Sequence, residues 1–221
     1  MQDPIQRHPT RAEQLDLLTT LVADRCTDLG HSAKVLDIGC GIGYVAFKLA
    51  QKCHGIDLTG VDLSADALAQ AGQNLADEAI DFTAVPADLR ELQDIRLPQQ
   101  HYDVVYTCLT FHDLNDASKL AVMRWVSELL APGGLFLIYD RIKLDSAPLF
   151  ELQRSIWRRL EAHHGQAMRS AESFDAYLHD LGTDNAPARL ADYLGWYSEC
   201  QLDSAVIHVH GNIALLAGAK R

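Results

Sequence analysis

Val35-Leu36-Asp37-Ile38-Gly39-Cys40-Gly41-Ile42-Gly43 is the stretch that decides the fold. Val35 to Ile38 reads as a buried strand and runs directly into three glycines at alternate positions. Ile42, Val45, Ala46, Leu49 and Ala50 then recur at helical spacing. A strand, a sharp turn and a helix in that order begin a parallel sheet covered by helices. Glycine lets the backbone turn tightly and come within van der Waals distance of a ligand at the helix N-terminus. Asp37 makes this turn a poor neighbour for pyrophosphate and a good one for an ammonium group. The dinucleotide fingerprint needs a third glycine at position 44, where this chain has Tyr44, so a nicotinamide or flavin reading loses its key contact.

Outward from the turn, β-rich and amphipathic runs alternate from residue 34 to 139. Gly55 to Val61, Phe82 to Val85, Tyr102 to Thr107 and Leu135 to Tyr139 read as further strands. Ser64 caps a helix carrying Leu68, Ala71 and Leu75; Asp116 caps another with Val122, Val126, Leu129 and Leu130 inward. Upstream, Thr10 and Glu13 form a capping-box pattern for a helix whose apolar face holds Leu15, Leu18, Val22 and Leu29, with Gly30 as terminator. From Leu144 the pattern turns helical, with Leu149, Leu152, Ile156 and Leu160 on one face. Ala205 to His210 and Ile213 to Ala217 flank Gly211-Asn212 as a closing antiparallel hairpin at the sheet edge. The expected organisation is a single domain: an N-terminal helical lid (1–33), a core (34–143), a helical cap (144–198) and a hairpin (199–221).

At 221 residues with 48% hydrophobic content, the chain can bury one sizeable core, and no apolar run approaches the roughly 20 residues that cross a bilayer. No secretory pattern opens the sequence, and five scattered cysteines without a C-x-x-C pair suit free thiols in a reducing, cytoplasmic setting. With 30 acidic against 19 basic residues, the net charge of −11 opposes a polynucleotide track. His163-His164 and His208-x-His210 lack a third ligand at a recognised spacing, so no metal site is expected.

Two more acidic residues complete the cofactor pattern. Asp62 ends the second strand, where a carboxylate can accept both hydroxyls of a ribose, and Asp88 follows the third, where it can accept an exocyclic amine. On these residues the chain resembles the class I S-adenosylmethionine-dependent methyltransferases. The stretch from Val35 to Gly43 resembles their first motif, Gly60-Val61-Asp62-Leu63-Ser64 the second and Ala87-Asp88-Leu89 the third. Tyr102-Asp103-Val104-Val105 with Leu109-Thr110-Phe111-His112-Asp113 resembles the fourth, and Leu130-Ala131-Pro132-Gly133-Gly134 the turn before the fifth strand.

The resemblance implies an α/β, Rossmann-like, doubly wound and mostly parallel seven-stranded sheet with a reversed last strand. It implies S-adenosylmethionine as cofactor and S-adenosylhomocysteine as product. Gly39, Cys40 and Gly41 would face the methionyl part beside Asp37. Asp62 with Leu63 would meet the ribose, Asp88 and Leu89 the adenine, and Thr107 and Cys108 the sulfonium.

On the acceptor side, His112 past the fourth strand is the candidate base, against a reading as a backbone-bonded loop residue. Tyr139 and Arg141 end the fifth strand; Asp140 between them is weighed as a cap or a partner of Arg141. Arg154 and Arg158, four apart on one helix face within a basic stretch reaching Arg169, could grip a carboxylate or phosphate. Trp157, Phe174, Tyr177, Tyr193, Trp196 and Tyr197 either wall a planar pocket or pack the cap. The acceptor expected is a small, possibly anionic molecule. Two alternatives stay open: a tRNA-modifying enzyme, since Gly211 to Lys220 is faintly similar to the closing strand of enzymes making carboxylated S-adenosylmethionine, and a non-catalytic cofactor-binding protein.

Overall fold

Val35 to Ile38 lies in the middle of the sheet. The computed structural model describes residues 1–5, 8–165, 171–181 and 185–221. Strand β1 (Ala33–Ile38) pairs in parallel with β2 (Ile56–Asp62) on one side and β4 (Tyr102–Cys108) on the other. β3 (Ile80–Pro86) continues the sheet beyond β2, and β5 (Leu130–Arg141) continues it beyond β4, both in parallel. β6 (Leu202–His210) and β7 (Ile213–Lys220) form the expected hairpin, with β7 antiparallel to both β5 and β6. The order is therefore β3-β2-β1-β4-β5-β7-β6. The chain winds to one side of β1 and then crosses to the other, so a crevice opens at the carboxyl ends of β1 and β4, where such sheets bind ligands.

Successive side chains of a strand face opposite ways, and β1 buries both faces. Val35 enters one core with Leu15, Leu18, Val22 and Leu49, while Leu36 and Ile38 enter the other with Val122, Phe136 and Tyr197. The first core is covered by α1 (Arg11–Asp28) and α2 (Tyr44–Ala50), whose N-cap Gly43 has φ +77°. α3 (Ala65–Leu75) is capped as expected, Ser64 accepting from the Ala67 N–H at 3.1 Å.

Local chemistry departs from the sequence reading in four places. The capping box at Thr10 does not form: its hydroxyl instead accepts from Gln14 Nε2 and contacts His8 Nδ1, each at 2.8 Å. Asn115, not Asp116, caps α4 (Asp116–Leu129), accepting from the Ser118 N–H at 2.9 Å. β5 begins at Leu130 rather than Leu135, because Leu130 already pairs with Tyr102 before an irregularity in the register. In α5 (Phe150–His164) the buried face is Phe150, Gln153, Trp157 and Leu160, and Leu149, Leu152 and Ile156 are exposed. Aromatic packing decides that rotation: Phe150 meets Trp157 edge to face and lies against Phe174 and Tyr177 of α6 (Phe174–Leu181). α7 (Leu190–Glu199) packs on the sheet itself, with Tyr193 and Tyr197 fully buried and Tyr197 edge-on to Phe136. All five cysteines are free thiols.

Candidate functional site

The glycine turn is pinned before any ligand is considered. Val61 O accepts from the N–H of Gly39 at 2.8 Å and of Cys40 at 3.1 Å. Asp62 accepts from the Gly41 N–H at 2.8 Å through Oδ2 and from the Ser64 N–H at 2.9 Å through Oδ1. Each carboxylate oxygen keeps a second lone pair for a ligand hydroxyl. Two glycines here have different reasons. A Cβ at Gly39 would stand 2.1 Å from Thr110 Oγ1, whereas a Cβ at Gly41 would meet no protein atom within 4 Å. Gly39 leaves room for the neighbouring loop; Gly41 borders open space.

That space is a cavity of about 430 Å³ bordered by Asp37, the Gly39–Gly41 turn, Asp62 and Leu63 from the β2 end, Asp88 and Leu89 past β3, and Cys108 from the β4 end. Asp37 is buried, and its Oδ2 accepts from the Tyr106 hydroxyl at 2.9 Å. Its Oδ1 has no partner among the described residues. Burial pushes this carboxyl up to about 7, the Tyr106 bond pulls it down, and the nearby Asp62 charge raises it further. An unpaired buried carboxylate oxygen is costly unless a donor reaches it, and an ammonium is the natural donor. Asp88 is taken by a neighbour: Arg90 binds both its oxygens, at 2.7 to 3.1 Å, and this hydrogen bonding holds the carboxyl below its usual range.

A second cavity, about 350 Å³, adjoins the first and shares Pro4, Ile5, Arg11 and Leu109 with it. Tyr139, Arg141, Trp157, Tyr177 and His8 border its other sides. Leu109, directly after β4, has φ +56°, a left-handed conformation costly for a leucine, and its N–H is held by Tyr139 O at 2.9 Å. Tyr139 is buried, with its hydroxyl donated to Gln14 Oε1, and burial pushes its phenol up.

Several expected site residues stand elsewhere. Thr107 is fully buried in the sheet and borders neither cavity. His112 also borders neither: its Nδ1 lies 2.6 Å from Asp140 Oδ1, and its backbone N–H donates to Asp140 Oδ2 at 2.8 Å. Asp140 is therefore the partner of His112 as well as an acceptor for the Arg141 N–H at 2.6 Å. Arg154 pairs with Glu151 and Arg158 bonds the Ser155 hydroxyl, both away from the cavities. Arg169 lies outside the described residues. The sequence reading missed His8 and Arg11, which tertiary packing of α1 carries to the mouth of β4; no motif spacing marks them.

The comparisons with known proteins agree with this geometry. A family model described as a methyltransferase domain matches residues 35–134. Over 156 residues the chain is 29% identical to phosphoethanolamine N-methyltransferase 1 of Arabidopsis thaliana, covering 70% of this chain and 29% of that protein. It is 36% identical over 109 residues to ribosomal RNA small subunit methyltransferase C of Actinobacillus pleuropneumoniae serotype 7 (strain AP76), covering 49% of this chain and 30% of that protein. Thus the chain spans less than a third of the length of these two relatives. Among solved structures, magnesium protoporphyrin IX methyltransferase from Synechocystis PCC 6803 with bound S-adenosylhomocysteine superimposes with TM-score 0.62 at 16% identity, covering 96% of this chain and 86% of that one. The fold is that of the class I methyltransferases. Residues 35–134 are thus similar to a methyltransferase domain, and the chain shares the Rossmann-like seven-stranded sheet of the solved methyltransferase.

Proposed function

We propose that the chain transfers a methyl group from S-adenosylmethionine in the first cavity to a small molecule in the second. One observation carries this reading: the two cavities share the wall of Arg11 and Leu109, so a donor and an acceptor can meet there. The donor set fits the cofactor, because Asp37 offers an unpaired buried oxygen to an α-ammonium and Gly41 leaves open space for the methionyl part. Asp62 accepts ribose hydroxyls while keeping its two backbone bonds, and Leu89 flanks the base with Asp88, whose carboxylate shares its lone pairs with Arg90. Bound there, the cofactor supplies a methyl group already activated by a sulfonium. The protein's task is then alignment and exclusion of water rather than activation.

His112 acts in this reading as a positioning residue. It fixes Asp140, whose carboxylate in turn receives the Arg141 N–H at the edge of the second cavity. A small acceptor suits two cavities of about 430 and 350 Å³ and the charge of −11, whereas a ribosomal or transfer RNA would need a basic track. The test is incubation of cell extract with methyl-labelled cofactor, followed by separation of small molecules, RNA and protein. Label in the small-molecule fraction, lost with Asp62→Ala, is expected. Label only in RNA overturns the choice of acceptor; binding without transfer to any fraction favours a non-catalytic role.

A further inference from the structure

We propose that the second cavity takes an organic acid, its carboxylate received by Arg141, Arg11 and the Nε2–H of His8, and its apolar body by the aromatic wall. This rests on the reading of that cavity as the acceptor site and names the acceptor's chemical class. The geometry around His8 sets the proton's place. The Thr10 backbone N–H, which can only donate, points to His8 Nδ1 at 3.3 Å, and the Thr10 hydroxyl lies 2.8 Å from the same nitrogen. Nδ1 is therefore an acceptor, and the neutral ring carries its hydrogen on Nε2. Burial first, then the neighbouring His210 and the positive Arg141, hold this imidazole down at about 4, so it stays neutral at physiological pH.

His8 Nε2 and Arg11 Nη1 are both buried and lack a partner among the described residues. Arg11 is held at Nε by Asp3 at 2.8 Å, which orients its planar fork and leaves Nη1 unused. Arg141 has no ion pair among the described residues. Three donors without acceptors, against one unpartnered acceptor, Asn185 Oδ1, around this cavity call for a ligand rich in acceptor oxygens, and a carboxylate matches guanidinium geometry. Asp180 is the acidic residue on this wall, and its charge disfavours polyanions more than a single carboxylate. Trp157, Tyr177 and Tyr139 supply the apolar remainder.

The experiment is isothermal titration of the full chain, presaturated with S-adenosylhomocysteine, with benzoate, 3-phenylpropanoate and hexanoate, each against its primary amide. At least one acid is expected to bind roughly tenfold or more tighter than its amide, as charge-assisted hydrogen bonds predict, and Arg141→Gln should abolish that preference. No preference for any acid over its amide, or a preference surviving Arg141→Gln, overturns the assignment. Should S-adenosylhomocysteine itself fail to bind, the methyltransferase reading fails first; its binding without acid preference sinks only the acceptor class.

Discussion

Tyr106 donates its phenolic hydrogen to Asp37 Oδ2 at 2.9 Å, and the other oxygen of that buried carboxylate is left without a partner among the described residues. One oxygen is satisfied by the sheet and the other is left for a donor. Because burial raises this carboxyl to about 7, the folded chain binds a proton that the unfolded chain releases at ordinary carboxylate pH. Stability of the ligand-free protein must then fall as pH rises toward 7 and level off above it. Urea midpoints between pH 5 and 8 check this, with Asp37→Asn expected to flatten the decline.

Cofactor affinity should follow a different curve. The proposed contact needs Asp37 ionised and the cofactor's α-ammonium protonated, and a free α-amino group titrates at about 8. Affinity for S-adenosylhomocysteine is therefore expected to peak between about 7 and 8, with the acid limb set by Asp37. Asp37→Asn should weaken binding and erase that limb. An acid limb of unchanged midpoint in the variant would assign it to another group.

Asp62→Ala should weaken S-adenosylhomocysteine binding by about 1–3 kcal/mol, roughly fivefold to 150-fold, since it removes the proposed ribose acceptor and the anchor of Gly41 N–H together. Asp62→Asn separates the two roles, because its carbonyl oxygen can still accept one of those bonds. Equilibrium dialysis with labelled ligand measures both variants.

Gly41→Ala places a methyl group in the open space beside the turn and forces alanine to φ +53°. The conformational cost is about 1–2 kcal/mol, and the added atom competes with the ligand. Binding should fall further than stability does, which parallel urea and ligand titrations would resolve. Equal losses would mean that the methyl group meets nothing the ligand needs.

Much of the first cavity's wall was legible because its residues lie at strand ends and in one local turn, where spacing alone places them; Thr107, expected beside them, is buried in the sheet instead. The second cavity's wall was legible only in part: Tyr139, Arg141, Trp157 and Tyr177 were expected on the acceptor side, and His8 and Arg11 were not. His8 and Arg11 reach Tyr139 and Arg141 only because α1 packs across more than a hundred residues of sequence, and no local pattern encodes that approach. α5 and its N-cap offer two faces at helical spacing, the apolar 149/152/156 and the mixed Phe150/Gln153/Trp157, both leading to Leu160; contact with Phe174 and Tyr177 selects the second. His112 looked like a base from its position after β4, but Asp140, 28 residues later, captures its ring.

That capture gives its own prediction. His112→Ala strips the buried Asp140 carboxylate of its ring partner and should cost about 1–3 kcal/mol of stability, read by urea denaturation. S-adenosylhomocysteine affinity of the folded variant should be unchanged. A stable variant with weakened ligand binding would instead place His112 at the ligand.

The most direct measurement is calorimetric titration of the protein with S-adenosylhomocysteine and, separately, with NAD. The glycine turn and its three carboxylates predict saturable one-to-one binding of the first, sharply weakened in Asp62→Ala, and no heat from the second. Tight NAD binding alongside indifference to S-adenosylhomocysteine would contradict the account at its root.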